Sequence, residues 1–387
     1  MKYYLSLRSA LIITGILSYN CSFADDKAGE HSLSPVAPIA DKAGSAPIKN
    51  LRAMNANPSL VSVSGLSSGG YMAMQFGVAN SASIMGVGVV AGGAYKCVEP
   101  SSNPAWITPV SAAFNCMNMG YITAPELAFM QAKYDSSGGR IDNLENIKNH
   151  KIYLFSGGSD KTKPHDETVK KPAVDVVRRF YEQAGVPGYN VLYESSVHAP
   201  HAFISPSVQT PCEQQSESFT NHCDSYDQPK EILQHIYGNL KDAATQLSSK
   251  PEEFNQMEFS KNENSENFDE RGYIYIPETC KKDSSECAVH VVFHGCLQGA
   301  SNVKVQNAVY EFLGYNRWAD TNKIIVLYPQ LDSSKEHHSR FDLEYYKNPK
   351  GCWDWWGFTG NDFAEKSGKQ IAAVNKMLRR LTREKSQ

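Results

Sequence analysis

Short apolar runs alternate with amphipathic stretches along the chain, a pattern typical of a mostly parallel sheet covered by helices on both faces. The β-branched run Ser59–Ser64 predicts a strand, and Tyr71–Phe76 shortly after it predicts a helix. The next apolar run, Ile84–Val90, predicts a fully buried strand. The further predicted elements are strands over Lys151–Phe155, Tyr189–Glu194, Ala288–Phe293 and Ile324–Pro329, and helices near Glu126–Tyr134 and from about Ala173 to Gly185.

The composition is that of a globular protein rather than a nucleic-acid-binding one. Of 387 residues, 41% are hydrophobic and 20% are charged, and the formal net charge is −3. A polyanionic partner would call for basic clusters, and no block of Lys and Arg is found. This length allows one large α/β domain or two smaller ones.

Residues 1–24 have the form of a secretory signal peptide. A basic start precedes the apolar stretch Ala10–Leu17, and Ser22–Ala24 places small residues at the cleavage position. The apolar part is too short for a membrane span. A buried N-terminal helix and a lipoprotein signal at Cys21 are the alternatives. We therefore expect a secreted protein, extracellular or periplasmic, with residues 25–47 as a flexible leader.

Removal of Cys21 with the signal peptide leaves an even number of cysteines, which in an exported protein indicates disulfides. Short spacing favours three pairs and leaves a fourth, but the possible combinations are too many for the sequence to decide. No C-x-x-C spacing occurs and the histidines are scattered, so no metal site is predicted. The favoured pairs are Cys97–Cys116, Cys212–Cys223 and Cys280–Cys287, which leaves Cys296–Cys352.

The first chemical motif is Gly65-Leu66-Ser67-Ser68-Gly69, a G-x-S-x-G sequence between the first predicted strand and helix. In a nucleophile elbow, the sharp turn between strand and helix lifts the serine hydroxyl into the site. Glycines flank the serine because the turn brings two backbones too close for a Cβ. We therefore predict that Ser67 is a catalytic nucleophile.

A serine nucleophile needs a base and an orienting carboxylate. Asp160 suits the carboxylate because it lies in the Gly-rich loop after the strand Lys151–Phe155, and open α/β sheets build their sites at such strand ends. Its alternative role is to cap a turn or helix. Asp166 and Asp175 are weaker candidates, because they lie further along the chain.

The base is expected in the loop after the next strand, Tyr189–Glu194, which contains His198 and His201. Pro200 between them should turn the chain, so that the two rings face different ways. Either histidine completes the order Ser, Asp, His, which is the order that α/β-hydrolases use.

The loop expected to complete the oxyanion hole stands in an unusual place. Two backbone N–H donors are needed, one from Ser68 and one from a loop that normally precedes the nucleophile. The matching loop, His294-Gly295-Cys296, lies far downstream, and Cys296 would donate, although as a free thiol it could instead be a second nucleophile. We therefore predict a circularly permuted α/β-hydrolase over residues 48–387, with residues 213–272 as a polar connector. Two separate domains are the alternative, because the connector is charged.

An aromatic cluster lies near the C terminus. Trp353, Trp355 and Trp356 stand close together, with Tyr345-Tyr346 and Phe358 nearby. One interpretation is that one or two tryptophans belong to the core and the others cover a loop. The other is an apolar surface on which the three tryptophans bind a hydrophobic or polymeric substrate.

Taken together, these motifs resemble those of the secreted poly(3-hydroxybutyrate) depolymerases of the circularly permuted type. The resemblance spans most of the mature chain. The stretches that carry it are Gly65–Met72, Ser156–Asp160, His294–Gln298, Tyr328–Gln330 and Gly351–Gly357.

The resemblance implies a triad of Ser67, Asp160 and His201 on an α/β-hydrolase fold. His201 is favoured over His198 because His201–Pro206 is the closest match to the family's His-x-x-Pro-Thr context, although the Pro-Thr pair itself is absent. The implied reaction is hydrolysis of short-chain polyhydroxyalkanoate esters through an acyl-enzyme, without a cofactor. The partner would be a hydrophobic polyester or another ester.

Two rival functions remain open. A general carboxylesterase or feruloyl-type esterase on the same fold would differ in substrate range. A non-catalytic polymer-binding protein would use the aromatic surface, and reaction with a serine-directed organophosphonate would count against it.

Overall fold

The backbone is organised around one large sheet. A computed structural model describes residues 47–98, 116–117, 125–158, 168–260, 266–332, 348 and 350–383. The expectations for residues 1–46, and those for Asp160, Asp166, Tyr345 and Tyr346, fall outside these ranges. The strands are β1 Val61–Leu66, β2 Gly86–Val90, β3 Lys151–Phe155, β4 Val191–Glu194, β5 Phe203–Ile204, β6 Thr220–Asn221, β7 Glu252–Asn255, β8 Arg271–Tyr275, β9 Ala288–Phe293 and β10 Ile324–Tyr328.

Eight of these strands form the main sheet, in the order β4-β3-β2-β1-β9-β10-β8-β7, and β5 pairs with β6 separately. Neighbouring strands from β4 to β10 are parallel. Strand β8 runs antiparallel to both of its neighbours. The predicted, mostly parallel sheet is therefore confirmed.

The central strand β1 lies between the strand that follows it in the chain and one that comes much later. Val63 pairs with Val87 on β2 and with Val291 on β9. The residues before and after the connector thus share one sheet. The loop after β9 comes from far downstream in the sequence and reaches β1, which confirms the circularly permuted α/β-hydrolase fold.

Helices cover both faces of this sheet. Phe76, Val177 and Val374 belong to one buried apolar cluster, whereas Ile232 and Tyr315 belong to a second. Removal of these side chains from water supplies the main driving force for folding. The helices are α1 Ser68–Ala79, α2 Pro125–Ser137, α3 Lys171–Gln183, α4 Gln228–Tyr237, α5 Glu278–Lys282, α6 Tyr315–Thr321 and α7 Lys369–Thr382. None of the helices in the described ranges is long and apolar enough to cross a membrane.

Four disulfides cross-link the chain in the pairing that the spacing favours. One of them joins the loop after β9 to the tryptophan segment, so two stretches far apart in sequence are held together beside β1. The bonds are Cys97–Cys116, Cys212–Cys223, Cys280–Cys287 and Cys296–Cys352.

The region 213–272 contains more regular structure than a polar connector was expected to have. Helix α4 lies within it and buries Ile232, Leu233 and Ile236. Strand β7 and the start of β8 also fall within it, at the edge of the main sheet. The sequence of β7 is Glu-Glu-Phe-Asn, and its buried residue is Phe254. It lacks the alternation of apolar and polar residues that predicts a strand.

Candidate active site

Ser67 occupies the turn between β1 and α1 in a strained backbone conformation. Its φ of 58° and ψ of −122° are rarely adopted by residues with a side chain. The Ser67 N–H donates to the Val90 carbonyl over 2.9 Å, and the Ser67 carbonyl accepts from the Tyr71 N–H over 3.0 Å. Strain of this kind concentrates at functional sites. The turn therefore has the geometry of a nucleophile elbow.

The two glycines of the motif are required by close backbone approach. A Cβ on Gly65 would come within 2.3 Å of the Gly69 carbonyl oxygen. A Cβ on Gly69 would come within 2.2 Å of the carbonyl oxygen of Phe293, at the end of β9. No side-chain carbon fits at such distances, as the sequence pattern predicts.

The loop after β9 lies directly against Ser67. A Cβ placed on Gly295 would stand 3.5 Å from the Ser67 Cβ. The N–H of Leu331, which follows β10, donates to Nε2 of His294 in this loop over 3.0 Å, so the proton of the neutral ring is assigned to Nδ1. The Nδ1–H then donates to the Gly295 carbonyl over 2.7 Å. Burial lowers the pKa of His294 to about 4, which keeps the ring neutral.

Ser68 and Cys296, which directly follow Ser67 and Gly295, each carry a backbone N–H beside this contact. Among the described residues, neither the Ser68 N–H nor the Cys296 N–H has a hydrogen-bond partner. Ser68 is the first residue of α1, and the first N–H groups of a helix have no partner within it. Cys296 directly follows Gly295, which contacts Ser67. These are the two residues that the sequence predicts as oxyanion donors.

The loops that follow β3 and β4 pack against each other. The Gly158 N–H donates to the Val197 carbonyl over 2.8 Å. A Cβ on Gly157 would come within 2.2 Å of the Ala199 carbonyl oxygen. The described part of the first loop ends at Gly158, so Asp160 itself lies outside the described residues. The loop that contains Asp160 nevertheless begins beside the loop that contains both candidate bases.

The weaker candidate Asp175 lies on α3 and is engaged elsewhere. Its Oδ1 accepts from Lys171 Nζ over 2.8 Å and from the Tyr193 hydroxyl over 2.9 Å. Its carboxylate therefore has structural partners in this part of the fold. Across the described ranges, no group of three or more His, Cys, Asp or Glu side chains is arranged to hold a metal ion.

The two candidate bases have different surroundings. His198 is exposed, and its Nδ1 lies 3.0 Å from the Gly158 carbonyl, which can only accept. It lines a pocket of about 680 Å³ to which neither Ser67 nor His201 contributes. His201 is 7% exposed, and burial lowers its pKa to about 4. At neutral pH the His201 ring is therefore uncharged.

Two of the three tryptophans, Trp353 and Trp355, are buried, and Trp356 is half-buried. Trp353 has no exposed area and packs edge-on against Phe293, with ring centroids 4.9 Å apart. Trp355 stacks on Tyr71 of α1, with centroids 4.4 Å apart. Trp356 is half-buried and lies against Trp355 at 5.3 Å. We therefore assign Trp353 to the core rather than to a substrate surface, because its ring is fully enclosed.

The buried side chain of Asp354 holds the tryptophan segment in place. The sequence pattern does not predict this role. Asp354 is 1% exposed. Its Oδ1 accepts from the N–H groups of Trp356, Gly357 and Phe358 over 2.7 to 3.2 Å. Its Oδ2 accepts from the Thr359 N–H over 2.7 Å and from the Thr359 hydroxyl over 2.6 Å. The loop that carries Trp356 is thus wrapped around one side chain.

Ser62 and Ser64 of β1 belong to a cluster of buried polar side chains. The His290 ring contacts Ser62 Oγ through Nδ1 at 2.6 Å and Ser64 Oγ through Nε2 at 2.8 Å. The two serines also contact the hydroxyls of Tyr237 and Tyr315, respectively. Burial lowers the pKa of His290 to about 3, so this ring is neutral. The cluster ties β1 to β9 and to two helices.

A mostly parallel sheet, a serine in a strained strand-to-helix turn and an adjacent loop with an unused N–H define an α/β-hydrolase. Two curated relatives are similar over most of the chain. The poly(3-hydroxybutyrate) depolymerase of Delftia acidovorans is 35% identical over 337 residues, which are 86% of this chain and 62% of that protein. The polyhydroxybutyrate depolymerase of Talaromyces funiculosus is 35% identical over 335 residues, which are 84% and 90% of the two chains. No family model matches the chain.

Solved structures give the same result. A PHB depolymerase with one serine replaced by alanine, in complex with an R3HB trimer, superposes with a TM-score of 0.72 at 32% identity. The PHB depolymerase from Penicillium funiculosum gives the same two values. In both cases the match covers 86% of this chain and 99% of the other. The chain belongs to the polyhydroxybutyrate depolymerase family, although it spans less than two thirds of the Delftia relative.

Proposed function

We propose that this protein is an exported serine esterase that hydrolyses ester bonds of poly(3-hydroxybutyrate) or its oligomers. Family membership supports the substrate, as does the R3HB trimer bound by a structural neighbour. The observation that carries the proposal is the strained Ser67 turn with the Gly295 loop against it. This arrangement supports Ser67 as the nucleophile and the loop after Gly295 as the source of a backbone donor.

The proposed reaction uses the triad Ser67, Asp160 and His201. His201 accepts the Ser67 hydroxyl proton as Oγ attacks the ester carbonyl, while Asp160 orients the ring. The N–H groups of Ser68 and Cys296 stabilise the oxyanion of the tetrahedral intermediate. When the C–O bond breaks, His201 returns the proton to the departing alcohol. Water then attacks the acyl-enzyme with His201 again as base, and releases the acid and Ser67.

The proposal extends to the substrate surface and to the cell compartment. Trp355 and Trp356 are proposed as contacts for the apolar polyester chain, because both rings lie near the start of α1. Export is supported by the four disulfides, which persist in oxidising compartments. We propose residues 1–24 as signal peptide, 25–47 as leader and 48–387 as one catalytic domain.

A labelling experiment tests the nucleophile and the base together. A serine-directed organophosphonate should form an adduct that mass spectrometry places on Ser67, and a Ser67→Ala protein should remain unlabelled. His201→Gln should lower the labelling rate on the order of 10⁴-fold, since the base is removed. His198→Gln is the matched control and should label at close to the wild-type rate. The opposite ranking of the two histidines would reverse their assignment.

A further inference from the structure

Gln298 is a buried amide whose two ends bind different loops. It is 1% exposed. Its Oε1 accepts from the Gly295 N–H over 2.7 Å. Its Nε2 donates to the carbonyl oxygens of Ser218 and Phe219 over 2.8 and 3.3 Å. The orientation of the amide follows from these partners, because a backbone N–H only donates and a carbonyl only accepts.

The Nε2 group of Gln298 connects to the loop that contains His201 through the backbone of Phe219. Strands β5 and β6 pair here, and the Phe203 N–H donates to the same Phe219 carbonyl over 2.9 Å. Phe203 lies two residues after His201. A continuous chain of hydrogen bonds therefore runs from Gly295 through Gln298 and Phe219 to the backbone beside His201.

The Oε1 end leads to the peptide that carries the Cys296 N–H. The Gly295 carbonyl accepts from His294 Nδ1–H over 2.7 Å and from the Gln298 N–H over 3.2 Å. That carbonyl and the Cys296 N–H belong to one planar peptide unit, so holding the carbonyl also sets the direction of the N–H. Gln298 holds the preceding N–H as well, so both sides of Gly295 are fixed.

We propose that Gln298 is a positioning residue. It orients the Cys296 N–H beside Ser67 and holds this donor at a fixed position relative to the loop that contains His201. The inference rests on the proposed function. An oxyanion donor acts chiefly in the transition state, so its displacement lowers kcat while leaving KM nearly unchanged. A residue that only filled the core would lower stability and leave kcat of the folded enzyme intact.

The test compares Gln298→Met with a matched control, Gln256→Met, on a soluble butyrate ester. Gln256 is also fully buried and bridges backbone groups, donating to the carbonyls of Asp269, Arg271 and Gln330. It directly follows β7, the edge strand of the main sheet. We expect Gln298→Met to lower kcat about tenfold to a hundredfold with KM within about twofold. Gln256→Met should lose comparable thermal stability and keep kcat within about twofold.

A folded Gln298→Met protein with wild-type kcat would overturn the inference. If that variant fails to fold, Gln298→Glu replaces it, since a protonated carboxyl offers one acceptor and one donor. Its kcat relative to wild type should rise as the pH is lowered and the new carboxyl protonates; a flat ratio would count against positioning. Failure of wild type to hydrolyse any ester would instead overturn the proposed function.

Discussion

Gly295 lies against Ser67, with 3.5 Å between the Ser67 Cβ and the position of a Cβ on Gly295. The two residues follow neighbouring parallel strands, β9 and β1, although they are far apart in the chain. Ser67 and the proposed oxyanion loop are therefore held at the ends of two fully buried strands. Sites supported by such rigid elements keep their geometry more accurately than sites on loops alone.

The first prediction concerns how closely α1 approaches β9. Gly69→Ala places a Cβ within 2.2 Å of the Phe293 carbonyl oxygen, so helix and strand must move apart. We expect a loss of about 1–3 kcal/mol or more in the free energy of unfolding, measured by urea denaturation. Gly188→Ala is the control, because its Cβ would meet nothing within 4 Å, and it should change stability by less than about 0.5 kcal/mol. Equal effects of the two substitutions would contradict this packing.

The second prediction separates the tryptophans by function. Trp356→Ala should reduce hydrolysis of amorphous polymer much more than hydrolysis of a soluble butyrate ester, because a half-buried ring can contact a polymer chain. Trp353→Ala should instead cost about 3–5 kcal/mol of stability, since its ring is fully enclosed. Tyr189→Ala is the control. Tyr189 is an exposed aromatic residue just before β4, at the end of that strand away from the loop that contains His198 and His201. An equal loss on both substrates for Trp356→Ala would argue against a polymer contact.

The third prediction concerns the carboxylate inside the tryptophan loop. Asp354→Asn removes one acceptor oxygen and points an NH₂ group at backbone donors, so the loop cannot keep its present form. We expect a loss of about 2–4 kcal/mol, together with reduced polymer hydrolysis. Thr359→Val removes only the hydroxyl bond to Oδ2 and should cost about 1 kcal/mol. Thermal unfolding of the two variants checks this order, and the reverse order would contradict it.

The fourth prediction is acid sensitivity from buried neutral histidines. Burial lowers the pKa values of His201, His290 and His294 to about 4, 3 and 4, from the ordinary 6.5. The unfolded chain therefore binds protons that the folded chain does not, and the free energy of unfolding falls as the pH drops from about 6.5 towards 4. Above about 6.5 these rings add no pH dependence.

Urea unfolding at a series of pH values and constant ionic strength measures this fall. His290→Asn should be less stable at neutral pH but lose less stability on acidification, because one titrating ring is gone. Stability that stayed constant between pH 6.5 and 4 would show that these rings are not kept neutral by the fold.

Much of the catalytic scaffold is predictable because its signals are local. The Ser67 turn follows from two glycines between a strand and a helix, and the permutation follows from the late position of His294–Cys296. Short spacing favours three of the four observed disulfide pairs and leaves Cys296–Cys352 as the fourth.

Other features depend on tertiary contacts that no local pattern shows. Strand β7 is held by its pairing with β8 and by the burial of Phe254 rather than by alternating apolar residues. The burial of Trp353 and the hydrogen bonds of Asp354 depend on how a loop folds back on α1 and the sheet. Gln298 stands within a recognisable motif, but its bond to Phe219 exists only because β5 and β6 bring that carbonyl to it.

Cleavage of a polyester by Ser67 is measured by the clearing of a turbid suspension of amorphous poly(3-hydroxybutyrate). Wild type and Ser67→Ala are compared at equal concentration, with a soluble butyrate ester as second substrate and thermal unfolding to verify the fold. Wild type should clear the suspension and hydrolyse the ester, whereas the folded variant should do neither. Clearing by Ser67→Ala at the wild-type rate would contradict the nucleophile, and ester hydrolysis by wild type without clearing would contradict the polymer as substrate.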